Sequence, residues 1–293
     1  MNEYTKWFFC KAWSITGRII CFFVSIQKKI KRAQSYSLFC SFSRRNLLEN
    51  NKELKSIGRG KRAFLFATGP SLRQENLKLL HGEDCFSVSN FFLHSDLGLV
   101  NPKIHFFAPY HPPLVLDNYI LWLHAAHEQL PKSTAICLGH KMYDLVQQHN
   151  LFPGRKIYYI YLDSCPEYEN FVDLTKRILS PQTSPLMVLP ALLYMGYSQI
   201  YLLGCDHTVL RDYGREVQNF YECSLDLRVN ASSGKTWNPD IIADLESTKN
   251  IFVQYKFYKK IAANMKIEIC NLSQDSWLKE FNVDHLNKVI RND

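Results

Sequence analysis

From Lys61 onward, short apolar runs alternate with amphipathic stretches. Residues 63–67, 85–89, 104–108, 135–138, 156–162, 200–203 and 265–269 are runs of strand length. Between them, residues 120–130, 141–149, 186–195 and 247–263 carry helical periodicity, and Leu72, Leu79 and Leu80 stand at i, i+7 and i+8, predicting another helix over 72–80. Strands alternating with helices predict an α/β fold: one Rossmann-like, mostly parallel sheet with helices on both faces. At 293 residues the chain suffices for one large domain of this kind, and a 46% hydrophobic content argues against disorder.

Two stretches interrupt the alternation. Residues 208–237 lack clean periodicity and carry Arg211, Tyr213, Arg215, Tyr221, Arg228 and Lys235, which predicts a lid-like insertion over about 208–245. Before the first strand, residues 43–60 are polar and charged and read as a helical linker. Residues 1–42 differ again, since Trp7, Phe8, Phe9, Trp13, Ile19, Ile20, Phe22, Phe23 and Val24 interleave with Lys6, Lys11 and Arg18 before Lys28, Lys29, Lys31 and Arg32. No apolar run there approaches the roughly 20 residues of a bilayer span. The pattern suits an amphipathic helix lying among headgroups, where the cations of this +8 chain also meet anionic lipid. A helix packed on the protein's own domain or on a partner is the alternative, and homo-oligomerisation stays open. No finger, RNP-like or helix-turn-helix pattern accompanies the charge, so nucleic acid is not an expected partner.

The nine cysteines form no CxxC pair and their number is odd, which indicates neither a zinc site nor a disulfide framework. Together with the absence of a cleavable signal pattern, this predicts a cytoplasmic protein, peripheral on the inner face of the cell membrane.

Two units carry candidate chemistry. The first, KRAFLFATGPSLRQENLKLL from Lys61, reads as strand, turn and helix: Gly69 lets the backbone approach a ligand, and Ser71 with Gln74 fits a capping box. Free amides at such a helix start favour a phosphate. The second, TSPLMVLPALLYMGYSQIYLLGCDHTVL from Thr183, reads as an apolar helix closed by Gly196, then a strand delivering Asp206 and His207 to the ligand side of the sheet. Histidines at or near strand ends, namely His105, His111 and His207, have the chemistry to accept a proton from a hydroxyl. No D-x-D spacing occurs, so the expected site requires no metal and handles charge with Arg, Tyr, Lys and backbone amides.

These two units together resemble the bacterial lipooligosaccharide sialyltransferases, within a wider group of motility-accessory-factor and 6-hydroxymethylpterin diphosphokinase-like proteins. The resemblance covers about residues 60–275. The family's GNGPSL turn stands here as ATGPSL, so Gly69, Pro70 and Ser71 agree while Thr68 replaces Asn; Asn90, Thr183, Ser184 and Asp206 agree as well. Pro185 replaces a family Gly, and Glu246 falls where the family has its proposed base, a His. The resemblance implies a glycosyltransferase that takes a sugar, a nonulosonic acid or related acid sugar, from a CMP-linked donor to a bacterial surface glycan or glycolipid. Thr68, Gly69, Pro70, Ser71 and Asn90 would hold the nucleotide, Thr183, Ser184 and Asp206 would orient the donor, and Tyr213 and Tyr221 would meet the departing phosphate. His207 or Glu246 would take the acceptor proton. A pterin diphosphokinase needing Mg²⁺, and a non-catalytic scaffold of a glycan-assembly complex, are the other readings.

Overall fold

The computed structural model describes residues 3–111, 114–164, 171–215, 218–228 and 240–291, with the backbone alone at 3–19, 21, 24 and 28. It divides into two units, residues 1–46 and 47–293.

The larger unit is built on nine strands: β1 (Arg62–Phe66), β2 (Asp84–Val88), β3 (Ile104–Phe107), β4 (Ala135–Gly139), β5 (Ile157–Asp163), β6 (Arg177–Leu179), β7 (Gln199–Leu203), β8 (Glu268–Asn271) and β9 (Asn282–Val283). Their order is β6-β5-β4-β3-β2-β1-β7-β8-β9, and every neighbouring pair is parallel. The first six strands step outward from β1 in one direction, and the chain then returns to lay β7 against the other side of β1. That reversal is a topological switch point, where the loops leaving two adjacent strands diverge and open a crevice at their carboxyl ends.

The helices of the first unit and of the sheet are α1 (Glu3–Ser43), α2 (Leu97–Val100), α3 (Leu116–Gln129), α4 (Tyr143–Gln148), α5 (Pro185–Met195), α6 (Ile241–Asn264) and α7 (Leu286–Arg291). Strands buried on both faces need apolar residues at successive positions. In β1, Ala63 and Leu65, with Ala67 just beyond its end, join the core formed with α5 and α6, while Phe64 and Phe66 stack on Tyr201 and Phe91. In β3, Ile104 and Phe106 face the first layer, and Phe107 meets Trp122 of α3 at 5.0 Å on the opposite one. Helices therefore cover both faces, as the alternation predicts.

Three local expectations are corrected. Residues 72–80 form no α-helix but two 3-10 turns, Pro70–Gln74 and Leu77–Leu80. Asn76 breaks the helix by accepting the Lys78 amide, and the i, i+3 geometry of the second turn buries Leu77 and Leu80 while leaving Leu79 exposed. The capping box does not form either, because Gly69 is the residue before the first turn and no side chain caps it. Nor are residues 47–60 a linker. Asn51 is fully buried and donates both amide protons to the carbonyls of Tyr159 and Leu174, each at 2.8 Å, and the Gly58 amide donates to Met195 at 2.9 Å. A side chain at Gly58 would sit 2.6 Å from the Tyr197 ring, so this segment is core structure.

The smaller unit is α1 and the residues after it. No helix among the described residues is long and apolar enough to cross a membrane. Ile20, Phe22, Phe23 and Ile30 are each more than half exposed. At about 100° per residue, Phe22, Ile26 and Ile30 fall on one face with Phe23 beside them, while Arg32 lies on the opposite side. The expected contributions of Trp7, Phe8, Phe9, Trp13, Ile19, Val24, Lys6, Lys11, Arg18 and Lys28 concern side chains outside the described residues.

Candidate functional site

Beyond the ends of β1 and β7 the two exit loops stay paired. The Ala67 amide donates to Leu203 at 2.8 Å and the Gly69 amide to Gly204 at 2.9 Å, with Gly204 in the left-handed region at φ +69°. One step further the Ser71 amide donates to Asp206 Oδ2 at 3.2 Å. Gly69 is required for this closeness: a Cβ there would lie 1.8 Å from Asp206 Oδ2 and 2.5 Å from the Gly204 carbonyl. The two units singled out in the sequence therefore meet at the switch point. The meeting also changes what the first turn can bind, since the amide expected to face a phosphate is taken by the protein's own carboxylate.

Asp206 is 5% exposed, and burial pushes its carboxyl pKa up, with hydrogen bonding from Ser71 working against the shift. Its backbone is held by the loop after β8. Ser276 Oγ donates to the Cys205 carbonyl at 2.7 Å, the Trp277 amide donates to the Asp206 carbonyl at 2.9 Å, and the Cys205 amide donates to Ser273 Oγ at 3.1 Å.

His207 follows in the left-handed region at φ +52°. Its Nε2 lies 2.9 Å from Tyr255 Oη, and its ring packs against Phe252 and Tyr255 of α6. Burial lowers its pKa to about 4. It is thus a neutral imidazole that fastens the loop to α6. Glu246 is exposed on the second turn of α6.

Asn90 is fully buried at the start of the 3-10 turn Ser89–Leu93, where its Oδ1 accepts from the Trp122 indole. Its buried Nδ2 has no hydrogen-bond partner among the described residues. The kink that presents Asn90 is set by His105. Its Nε2 lies 3.0 Å from the Ser89 carbonyl, which can only accept, so Nδ1 accepts from Ser87 Oγ at 2.7 Å. Burial takes His105 down to about 3, and Ser89 is held at φ +54°. This histidine is a brace, and His111 is exposed.

Thr183 and Ser184 open α5 on the same edge of the sheet, their carbonyls accepting the amides of Leu186 and Met187 at 2.9 and 3.0 Å. Gln254 of α6 fixes the preceding loop by accepting the Gln182 amide at 2.8 Å.

Residues 216–217 and 229–239 of the expected lid, Lys235 among them, lie outside the described residues. Where it is described, it rests on the first turn: the Phe220 amide donates to the Thr68 carbonyl, and Arg73 Nε to the Phe220 carbonyl, both at 3.1 Å. Tyr221 is buried and donates to Asp226 at 3.2 Å, which commits its hydroxyl to the protein. Arg228 completes that anchor, pairing with both oxygens of Asp226 at 2.9 Å while its guanidinium lies 4.3 Å from the Trp122 ring centroid. Tyr213 is exposed. Among the described residues, no group of three or more His, Cys, Asp or Glu stands together as a metal site.

Sequence reasoning brought Thr68–Ser71 to Asp206 but missed the Ser273–Trp277 loop, which has no motif of its own. Its only signal is a short polar run after a late strand.

No protein-family model matches the chain, and no curated protein matches it. Among solved structures it is similar to a point variant of the α-2,3/8-sialyltransferase CstII, at 18% identity over 76% of this chain and 86% of that one, TM-score 0.44. It is similar to CstII from Campylobacter jejuni in complex with the substrate analogue cytidine-5'-monophosphate, at 17% identity over 78% and 86%, TM-score 0.43. It is also similar to the MAf glycosyltransferase from Magnetospirillum magneticum AMB-1, at 13% identity over 81% of this chain and 38% of that one, TM-score 0.46.

Proposed function

We propose that the chain is a glycosyltransferase that takes an acid sugar from a CMP-linked donor and passes it to a surface-glycan or glycolipid acceptor without a bound metal. The observation that carries this reading is the meeting of Gly69, Ser71 and Asp206 at the β1/β7 switch point. The GPSL turn and the Gly196–Asp206 unit supply the reaction class by their resemblance. In the reaction, an acceptor hydroxyl attacks the anomeric carbon, the bond from that carbon to the CMP phosphate oxygen breaks, and the hydroxyl proton passes to a base. We assign that proton to Asp206. A carboxylate whose pKa is raised by burial is a stronger base than an ordinary one. His207 serves less well, because its pKa is low and Tyr255 holds its Nε2. Thr183 and Ser184 belong to donor orientation in this scheme, Glu246 to the acceptor side, and α1 to holding the enzyme at the membrane surface.

Thermal-shift measurements with CMP, CDP, UDP and GDP test the reading. CMP should raise the melting temperature more than the other nucleotides, and no stabilisation by any of them at millimolar concentration would contradict it.

A further inference from the structure

An obstacle to nucleotide binding is visible at the switch point. The Ser71 amide donates to Asp206, the Leu72 amide to Gly69 and the Gly69 amide to Gly204, so the first turn keeps little for a phosphate. A phosphate brought beside the Asp206 carboxylate also needs a cation to offset the repulsion. Two arginines near the crevice are already engaged, Arg73 with the Phe220 carbonyl and Arg228 with Asp226. Arg211 is the better placed. A turn directly after His207 holds it, its amide donating to the Thr208 carbonyl at 2.9 Å. Its charge acts on Asp206, working against the upward shift that burial gives that carboxyl. Its guanidinium, itself exposed, pairs with both oxygens of the neighbouring Asp212 at 3.1 and 2.9 Å, the same two-pronged geometry with which it would take a phosphate in exchange.

The loop after β8 holds a second unused group. Asn271, Ser273, Ser276 and Leu278 are at most 1% exposed and hydrogen-bonded to the loop itself or to the Cys205–Asp206 backbone. Between two of them stands Trp277, 42% exposed, its backbone amide fixed 2.9 Å from the Asp206 carbonyl. Its indole makes no ring contact or hydrogen bond among the described residues. A rigid loop that presents an unstacked indole beside a crevice offers a planar ligand a stacking surface at little cost in ordering.

We propose that Arg211 and Trp277 are the nucleotide-binding residues of this site, Arg211 taking the phosphate and Trp277 stacking on the planar base, while the Gly69–Ser71 turn positions Asp206. The inference rests on the nucleotide reading above and relocates its contacts. Calorimetric titration separates the two. With the full-length protein, CMP and cytidine are titrated against wild type, Arg211→Gln, Trp277→Ala and Trp277→Phe, each variant first checked for an unchanged melting temperature. Arg211→Gln should weaken CMP roughly tenfold or more and leave cytidine unchanged. Trp277→Ala should weaken both by roughly tenfold, and Trp277→Phe should recover part of the loss. If wild type binds CMP and both Arg211→Gln and Trp277→Ala bind it equally well, the assignment of these two residues is overturned and the nucleotide reading stands. If wild type binds neither CMP nor cytidine, both fall.

Discussion

Asp206 is the base of the proposed reaction. Burial and a backbone amide act on it in opposite directions, and burial prevails, so its carboxyl titrates above the ordinary carboxylate value. The reaction needs the ionised form, so transfer should be full above this raised pKa and fall as pH drops through it. Stability runs the other way. A carboxyl with a raised folded-state pKa contributes stability below its unfolded value and loses it as pH rises through the folded one. Asp206→Asn stays neutral and can still accept the Ser71 amide. It should lose transfer activity by roughly 100-fold or more while unfolding at the same or a higher urea concentration at pH 7. Activity profiles and urea titrations of the two proteins across pH check both signs, and a variant that keeps its activity would remove Asp206 from the mechanism.

At the scale of elements, stability gathers at chain ends that a single side chain satisfies. Arg155 donates to the carbonyls of His127, Leu130, Pro131 and Thr134 and to His127 Nδ1, closing the C-terminus of α3 and the loop after it. A cation suits that end of a helix, and its removal strands several acceptors together. Arg155→Ala should cost about 2–4 kcal/mol in urea unfolding, with Arg155→Lys recovering only part because an ammonium lacks the planar fork. A loss no larger than that of an ordinary surface substitution would show that water replaces the guanidinium. This cap was not legible in the sequence, since its partners lie 21–28 residues away. The three-residue β6 and two-residue β9 left no signal, but the other seven strands were legible because sheet burial on both faces writes a continuous apolar run. So was α5, whose eleven residues are all buried and end at Gly196 in the left-handed conformation. The turn after β1 was half legible: Gly69 marked the close approach, but nothing local showed that a carboxylate 135 positions on would fill it. For the same reason Ser273, Ser276 and Trp277 carried no signal, their role being set by strand order.

For the whole molecule, the proposed function divides the work between the two units, α1 for a membrane surface and the sheet for the donor. Deleting residues 1–32 should abolish sedimentation with anionic vesicles and leave nucleotide binding intact, whereas unchanged sedimentation would mean that the aromatic and basic segment serves another partner. For the larger unit, the proposed function puts the nucleotide where the winding reverses between β1 and β7, within reach of loops from three adjacent strands. Amide hydrogen exchange of the full-length protein with and without CMP tests this directly. The account predicts slowed exchange confined to residues 67–73, 204–212 and 272–278. Unchanged exchange there, or protection gathered at the opposite edge of the sheet, would contradict it.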